Sequence, residues 1–234
     1  MGKDFSILGR ALAAPARSVF LDLLMDGSRR PAGELAAAAR IGASTASEHL
    51  AVLLDSGLVV CEAHGRQRFY AIADPAVADA LEALGSLCPQ TGSWSLRQSR
   101  EARALADARL CYDHLAGHLG VGVTEALVGA GWLGDDLVPP SAAAPFFAEF
   151  GLDLDRLRRG RRPLTRVCPD WTERRSHLAG ALGAALAQHF LAEGWVRRQP
   201  TGRGLAVTED GRAALHQWWG LEMSEYESVS PLVQ

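Results

Sequence analysis

The stretch "IGASTASEHLAVLLDSGLV", residues 41–59, decides how the first part of the chain folds. Ala46, Leu50 and Leu53 recur at helical spacing and form an inward stripe, with Gly42 as a tight turn and Ser44 as the expected N-cap. Ser44, Thr45, Ser47 and Glu48 are left facing outward. A helix whose first turn is small and hydroxyl-rich can approach base edges and phosphates closely, as the second helix of a helix-turn-helix does.

The flanking segments extend this reading in both directions. Upstream, "PARSVFLDLL" (15–24) carries a proline suited to a first helical turn, followed by Val19, Phe20, Leu23 and Leu24 at helical spacing. "DGSRRPAGELAAAAR" (26–40) predicts a turn and a short helix starting near Pro31, with Leu35 buried. Downstream, "LVVCEAHGRQRFYAI" (58–72) reads as a strand over Leu58–Glu62, a turn around Gly65 and a strand over Arg68–Ile72. Helix, helix, polar-tipped helix and basic hairpin make a winged helix-turn-helix, with Arg66 and Arg68 at or near the hairpin tip. His49, beside the inward stripe, reads as a packed structural residue.

Residues 5–87 resemble the ArsR family of winged-helix transcriptional regulators through "LAAPARSVFLDLL", "GELA", "STASEHLAVLLDSGLV" and "GRQRFYAI", in that order. The resemblance implies a homodimer whose two recognition helices enter successive major grooves of a near-palindromic double-stranded DNA operator. The candidate DNA contacts are then Ser44, Thr45, Ser47 and Glu48 on the helix and Arg66 and Arg68 on the wing. Two stretches depart from the metal-sensing members. "GELAAAARIG" has no cysteine, histidine or aspartate beside the helix preceding the recognition helix, and "DPAVADALEALGSL" has carboxylates but no histidine.

Composition narrows the class without naming it. In 234 residues, 48% are hydrophobic and 22% charged, as in ordinary globular domains, and the net charge of −3 carries no global sign of nucleic-acid binding. No apolar run reaches the roughly 18 residues of a membrane span. "MGKDFSILGR" lacks the apolar core and cleavage site of a secretory signal, so a cytoplasmic protein with no membrane partner is expected. Four cysteines without a CxxC pair predict reduced thiols rather than a disulfide framework.

Beyond a linker at 88–95, Arg97 to about Gly117 reads as one helix with Ala104, Ala108, Cys111 and Leu115 on one face. In "CYDHLAGHLG" (111–120) the helical reading aligns Cys111, His114 and His118. "HLAGHLGVGVTEALVGAGWL" (114–133) and "HLAGALGAALAQHFLAEGWV" (177–196) match without a gap, which identifies a duplication with copies at about 111–154 and 168–223. His114 recurs as His177, whereas Ala181 stands opposite His118. Cys111 with Asp113 and Cys168 with Asp170 share a C-x-D pattern, which pseudo-symmetry would bring to one cavity.

The expected fold is therefore mainly α with small β-hairpins. A winged helix-turn-helix for DNA binding and dimerisation (1–87) precedes a duplicated, degenerate winged-helix-like effector domain (96–234). Cys111, His114, Cys168 and His177, with His118 as a further candidate, suit a soft or borderline metal ion, an electrophile or an oxidant; a domain without cofactor is the other possibility. The expected activity is a repressor released by such an inducer. Two other readings stay open. The aromatic residues of this half, Trp94, Trp132, Trp171, Trp195, Phe146, Phe147 and Phe150, would serve an apolar small-molecule site. A cysteine–histidine enzyme has no third orienting residue or phosphate loop to support it, so no catalytic residue is assigned. Arg197, Arg198 and Arg203 are candidates for a second DNA contact.

Overall fold

A short helix, α1 (Ser6–Leu12), leads into α2 (Pro15–Leu24), which starts on a proline whose ring already fixes a helical φ. β1 (Arg30–Pro31) precedes α3 (Ala32–Ala38) and α4 (Ala43–Asp55), and then β2 (Val59–His64) and β3 (Gln67–Ile72) form the hairpin. The three strands pair antiparallel in the order β1-β3-β2, with Val59 opposite Ile72 and His64 opposite Gln67. Phe20, Leu24, Leu35, Ala46, Leu50 and Leu53 are buried at the centre, so the inward stripe of α4 is as expected. These elements belong to a computed structural model that describes residues 4–65, 67–88, 96–199 and 202–223. Arg66, the expected linker residues 89–95 and Trp94 lie outside the described residues.

One detail of the first unit differs from expectation. Gly42, in extended conformation, is the N-cap of α4, and Ser44 lies inside the first turn. Gly42 adopts the extended cap conformation without a side chain, which leaves the hydroxyls of Ser44 and Thr45 uncommitted to capping. The expected role of His49 holds, since its Nδ1 is 2.9 Å from Arg17 NH1 and its ring meets Phe20 edge-on.

After α5 (Pro75–Leu87), within which the chain divides into two compact units between Leu81 and Glu82, the second unit begins with α6 (Leu96–Asp107). The helix ends there rather than near Gly117. β4 (Arg109–Cys111) and β5 (His114–Ala116) form a hairpin closed by a two-residue turn, and α7 (Gly117–Gly129) follows. The helical reading of "CYDHLAGHLG" is thus overturned. Tyr112 adopts φ +62°, which suits a tight hairpin turn and breaks a helix. Both short strands are buried at every position, so no alternation betrays them, and a run of apolar residues fits either period.

A 3-10 turn at Ser141–Ala143 leads to α8 (Ala144–Glu149) and α9 (Leu154–Arg158). The same motif then recurs: a hairpin of β6 (Arg166–Pro169) and β7 (Ser176–Ala179) precedes α10 (Gly180–Ala192). β8 (Val196–Arg198) and β9 (Leu205–Val207) form a last hairpin before α11 (Glu209–Trp219), capped by Thr208, whose hydroxyl accepts from the Gly211 amide at 3.0 Å. Helix α7 packs on β7 and α10 packs on β5, so each helix covers the other hairpin.

The repeated HLAG…LG letters now have physical roles. Gly117 and Gly180 take φ +74° and +89° at the hairpin-to-helix corner, where a Cβ would lie 2.5 Å and 2.8 Å from backbone oxygens of Ala106 and Leu164. Gly120 and Gly183 let each helix lie against the carbonyls of Leu115 and Leu178, 2.3 Å and 2.4 Å from where a Cβ would be. The leucines between, Leu119 and Leu182, are wholly buried.

An ionic cluster lies inside this unit. Arg109 is fully buried, with NH2 3.0 Å from Asp170 Oδ2 and 3.3 Å from Glu82 Oε1. Glu82 Oε2 also meets Arg203 NH1 at 3.1 Å. Arg203, a candidate for a second DNA contact, is therefore an internal partner instead. Burial would raise the Glu82 carboxyl, but Arg203 and Arg109 overcome this and hold it below the usual carboxylate range. A depressed folded value stabilises the unit above the ordinary value of about 4.3, and that contribution disappears as pH falls through the folded value. Melting of the second unit should accordingly shift downward under acid, and Glu82→Gln should remove up to one proton from the acid-side slope. An unchanged slope would dismiss this assignment.

Candidate functional site

On α4, Ser44, Thr45, Ser47 and Glu48 are exposed on the face opposite the buried stripe. The Ser47 hydroxyl donates to the Ala43 carbonyl at 2.9 Å, which steadies the side chain and leaves its oxygen lone pairs outward. Arg68 is exposed on β3, near the hairpin tip. A polar first helical turn and a cation on the hairpin belong to one unit and compose a surface suited to phosphates and base edges.

The second unit brings together four of the five sensing candidates. Cys111 faces His114 across β4 and β5, and Cys168 faces His177 across β6 and β7. The two sulfurs are 3.8 Å apart and the two Nε2 atoms 3.1 Å apart, and one ligating atom from each of the four side chains lies within 4.8 Å of all the others. All four are buried, none more than 3% exposed. His118 is not among them. It stands on α7, 45% exposed, with Nδ1 3.7 Å from Glu173 Oε2, because the hairpin replaces the helix that would have aligned it.

Two carboxylates support the imidazoles from behind. His114 Nδ1 is 3.4 Å from Asp113 Oδ1, and His177 Nδ1 is 3.2 Å from Asp170 Oδ2, at ion-pair distance though outside good hydrogen-bond alignment. Asp113 is clasped by the Arg162 guanidinium, and Asp170 accepts from the Gly117 amide at 2.7 Å and the Thr172 hydroxyl at 2.6 Å. Burial would raise Asp170, but His177, Arg109, Thr172 and the Gly117 amide hold it well below the usual range. For both histidines burial favours the neutral ring, yet the neighbouring carboxylate, Asp113 or Asp170, and then Cys111 leave the affinity for a proton raised. The Cys111 thiol is pushed up by its contact with Cys168 and then by burial.

This electrostatic arrangement has a chemical consequence. Carboxylates at both Nδ1 atoms favour the Nδ1–H tautomers, so the two Nε2 lone pairs converge on the space the sulfurs face. Lone pairs 3.1 Å apart repel unless a proton or a cation lies between them. Sequence reasoning noted the C-x-D pairs but not the duties of Arg109, Arg162 and Thr172. The readable signal was Arg109 between Ala108 and the apolar pair Leu110 and Cys111, where a charge is unusual without a buried partner.

Taken together, a winged helix with a polar recognition helix and a separate unit with a buried thiol–imidazole cluster define a DNA-binding transcriptional regulator with a second, non-winged site. Residues 12–62 match the model of a helix-turn-helix domain. The chain is 40% identical over 220 residues to YdfF of Bacillus subtilis (strain 168), described as an uncharacterised HTH-type transcriptional regulator, covering 93% of this chain and 97% of that one. It is also 49% identical over 74 residues to the regulator CmtR of Mycobacterium tuberculosis, 32% of this chain and 62% of CmtR. Among solved structures, a homodimeric winged helix-turn-helix domain of Mycobacterium bovis, described as a possible ArsR-family regulator, is 32% identical over 35% of this chain and 75% of that one, at a TM-score of 0.33. The solution structure of CmtR, described as a cadmium sensor, is 40% identical over 39% of this chain and 96% of that one, at a TM-score of 0.31. The chain belongs to the HTH-type transcriptional regulators. The match to YdfF is long enough to take in both units.

Proposed function

We propose that the protein is a homodimeric transcriptional repressor that reads an operator with α4 and the wing and is released when a soft or borderline metal ion binds in the second unit. The observation that carries this reading is the convergence of Cys111, His114, Cys168 and His177 on one buried point. Thiolate and imidazole are the donors such ions prefer. Burial favours a metal ion over a bulky electrophile, which cannot reach sulfurs only 1% and 3% exposed.

The apolar-ligand reading has less support. Trp132 stacks on Phe146 at 4.7 Å, and Phe150 stacks on Trp219 at 5.3 Å, so these rings are occupied with one another. A cavity of about 490 Å3 in the second unit has a mixed lining, with Leu205, Val207 and Met223 beside Asp107, Arg197, Glu209, Asp210 and Arg212.

An operator selected from random double-stranded DNA, followed by titration of the complex with Zn(II), Cd(II) and Cu(I), tests the proposal. Release by at least one of these ions at stoichiometric concentration is expected; indifference to all three would overturn it. The DNA face has its own test. Arg68→Ala should weaken binding to all sequences and reduce the log–log salt slope by about 0.9, the value for one lost phosphate contact. Thr45 and Ser47 substitutions should change the ranking of operators instead. An unaltered slope in the Arg68 variant would remove the wing from the interface.

A further inference from the structure

We propose that Cys111, His114, Cys168 and His177 form a closed, four-coordinate site for a zinc-type divalent ion, with Asp113 and Asp170 as the positioning residues that aim the two imidazoles at it. The inference deepens the reading above and rests on it only for the claim that the cluster is where the signal arrives.

Two of the ligand separations fit a zinc-sized ion, and the four ligand atoms, all within 4.8 Å of one another, would draw slightly closer on binding it. Around a tetrahedral zinc ion, two thiolates at about 2.3 Å lie about 3.8 Å apart, and two imidazole nitrogens at about 2.05 Å lie about 3.3 Å apart. The structure has 3.8 Å between the sulfurs and 3.1 Å between the Nε2 atoms. A disulfide would need about 2.05 Å between the sulfurs. Magnesium and calcium require oxygen donors, and copper(II) and nickel(II) favour planar rather than tetrahedral arrangements.

Charge and access agree with this choice. Two thiolates neutralise a divalent ion, and the outer carboxylates are balanced separately, Asp113 by Arg162 and Asp170 by Arg109. All four ligands come from protein and are buried, as in a structural zinc site rather than a catalytic one that keeps a position open for water. Each hairpin supplies one cysteine and one histidine, so an ion would tie together strands whose cysteines are 57 residues apart in sequence. Binding displaces the thiol protons, the sulfur lone pairs forming the bonds to the ion while the protons pass to solvent; no oxidant or reductant is involved. An aspartate behind each histidine fixes the tautomer and strengthens the ligand, the usual outer-sphere partner of a metal-bound imidazole.

The test uses the full chain, stripped of metal and loaded with Co(II) and then Zn(II). Co(II) should bind one per chain, with the strong visible absorption of a tetrahedral ion and a near-ultraviolet thiolate charge-transfer band, and one equivalent of Zn(II) should abolish both. X-ray absorption of the zinc-loaded wild type should show two sulfur and two nitrogen neighbours. This measurement needs no variant. Asp170→Asn and, at the more exposed edge, Asp113→Asn should weaken zinc about 10–100-fold while retaining the tetrahedral cobalt spectrum, with partial rescue by Glu. A pale six-coordinate cobalt spectrum, or fewer than two sulfur neighbours, would overturn the site. Wild-type zinc affinity in both aspartate variants would overturn the positioning role. Zinc bound with the expected signature but without effect on the operator would instead sink the signal reading and leave the site standing.

Discussion

Arg109→Met is expected to destabilise the second unit by about 3–5 kcal/mol, the usual cost of breaking a buried ion cluster by removing one partner. Methionine keeps much of the length and all of the apolar stem, so packing changes little and the loss is electrostatic. Glu82 and Asp170, 2% and 0% exposed in their side chains, would lose the guanidinium that both share. Each retains other partners, Arg203 for Glu82 and the Gly117 amide and Thr172 hydroxyl for Asp170, which keeps the effect within that range. Arg109→Lys should fall between, because an ammonium has the charge but not the planar fork that also reaches the Leu105 carbonyl and Thr172. All six tryptophans follow Leu81, and Arg109 lies over the Trp171 ring, 4.8 Å from its centroid, so tryptophan fluorescence during urea unfolding reads this unit alone. A loss below about 1 kcal/mol in the Met variant would mean that the cluster contributes no more than a surface pair.

How much of this was legible in the sequence differs between the two units for a physical reason. In the first unit each level agrees with the next: Pro15 at a helix start, Ala46, Leu50 and Leu53 on one face, and Phe69 and Tyr70 in a strand closed at Gly65. The Ser44 cap was misread, because Gly42 serves equally well at that position, and the short α1 and the two-residue β1 went unread. In the second unit β4, β5 and β7, of three or four residues, are buried along nearly their whole length and carry no period of two. Cys111, His114 and His118 therefore looked like one face of a helix. Comparison of the chain with itself supplied what periodicity lacked, pairing His114 with His177 and drawing Cys168 toward Cys111. It also marked His118, matched by Ala181, as the odd member. The partners that bind Asp170, from Gly117 to Arg109 and Thr172, are set by tertiary packing and leave no spacing to read.

The largest functional effect should follow from the sulfurs. Cys111→Ser and Cys168→Ser are each expected to fold, to bind operator as the wild type does, and to lose metal-dependent release. Serine preserves size and removes the soft, ionisable donor, so chemistry is separated from packing. Losing one of four ligands from a site worth about 10–16 kcal/mol should weaken zinc by at least about 100-fold. His118→Ala is the control. Its ring is 45% exposed and pairs at 3.7 Å with Glu173, away from the cluster, so release should be unchanged. Metal-dependent release measured by mobility shift across the three variants discriminates the mechanisms. Equal loss in both cysteine variants, with none in His118→Ala, is the pattern of one shared ion held by two hairpins. Release lost in only one cysteine variant would mean a single reactive thiol instead. Full inducibility in both, with release blocked by a bulky change at Trp132, would transfer the signal to the aromatic cluster. The paired outcome has a further consequence: since neither hairpin carries enough donors alone, the response should vanish as one unit when either is altered, with no half-responsive intermediate.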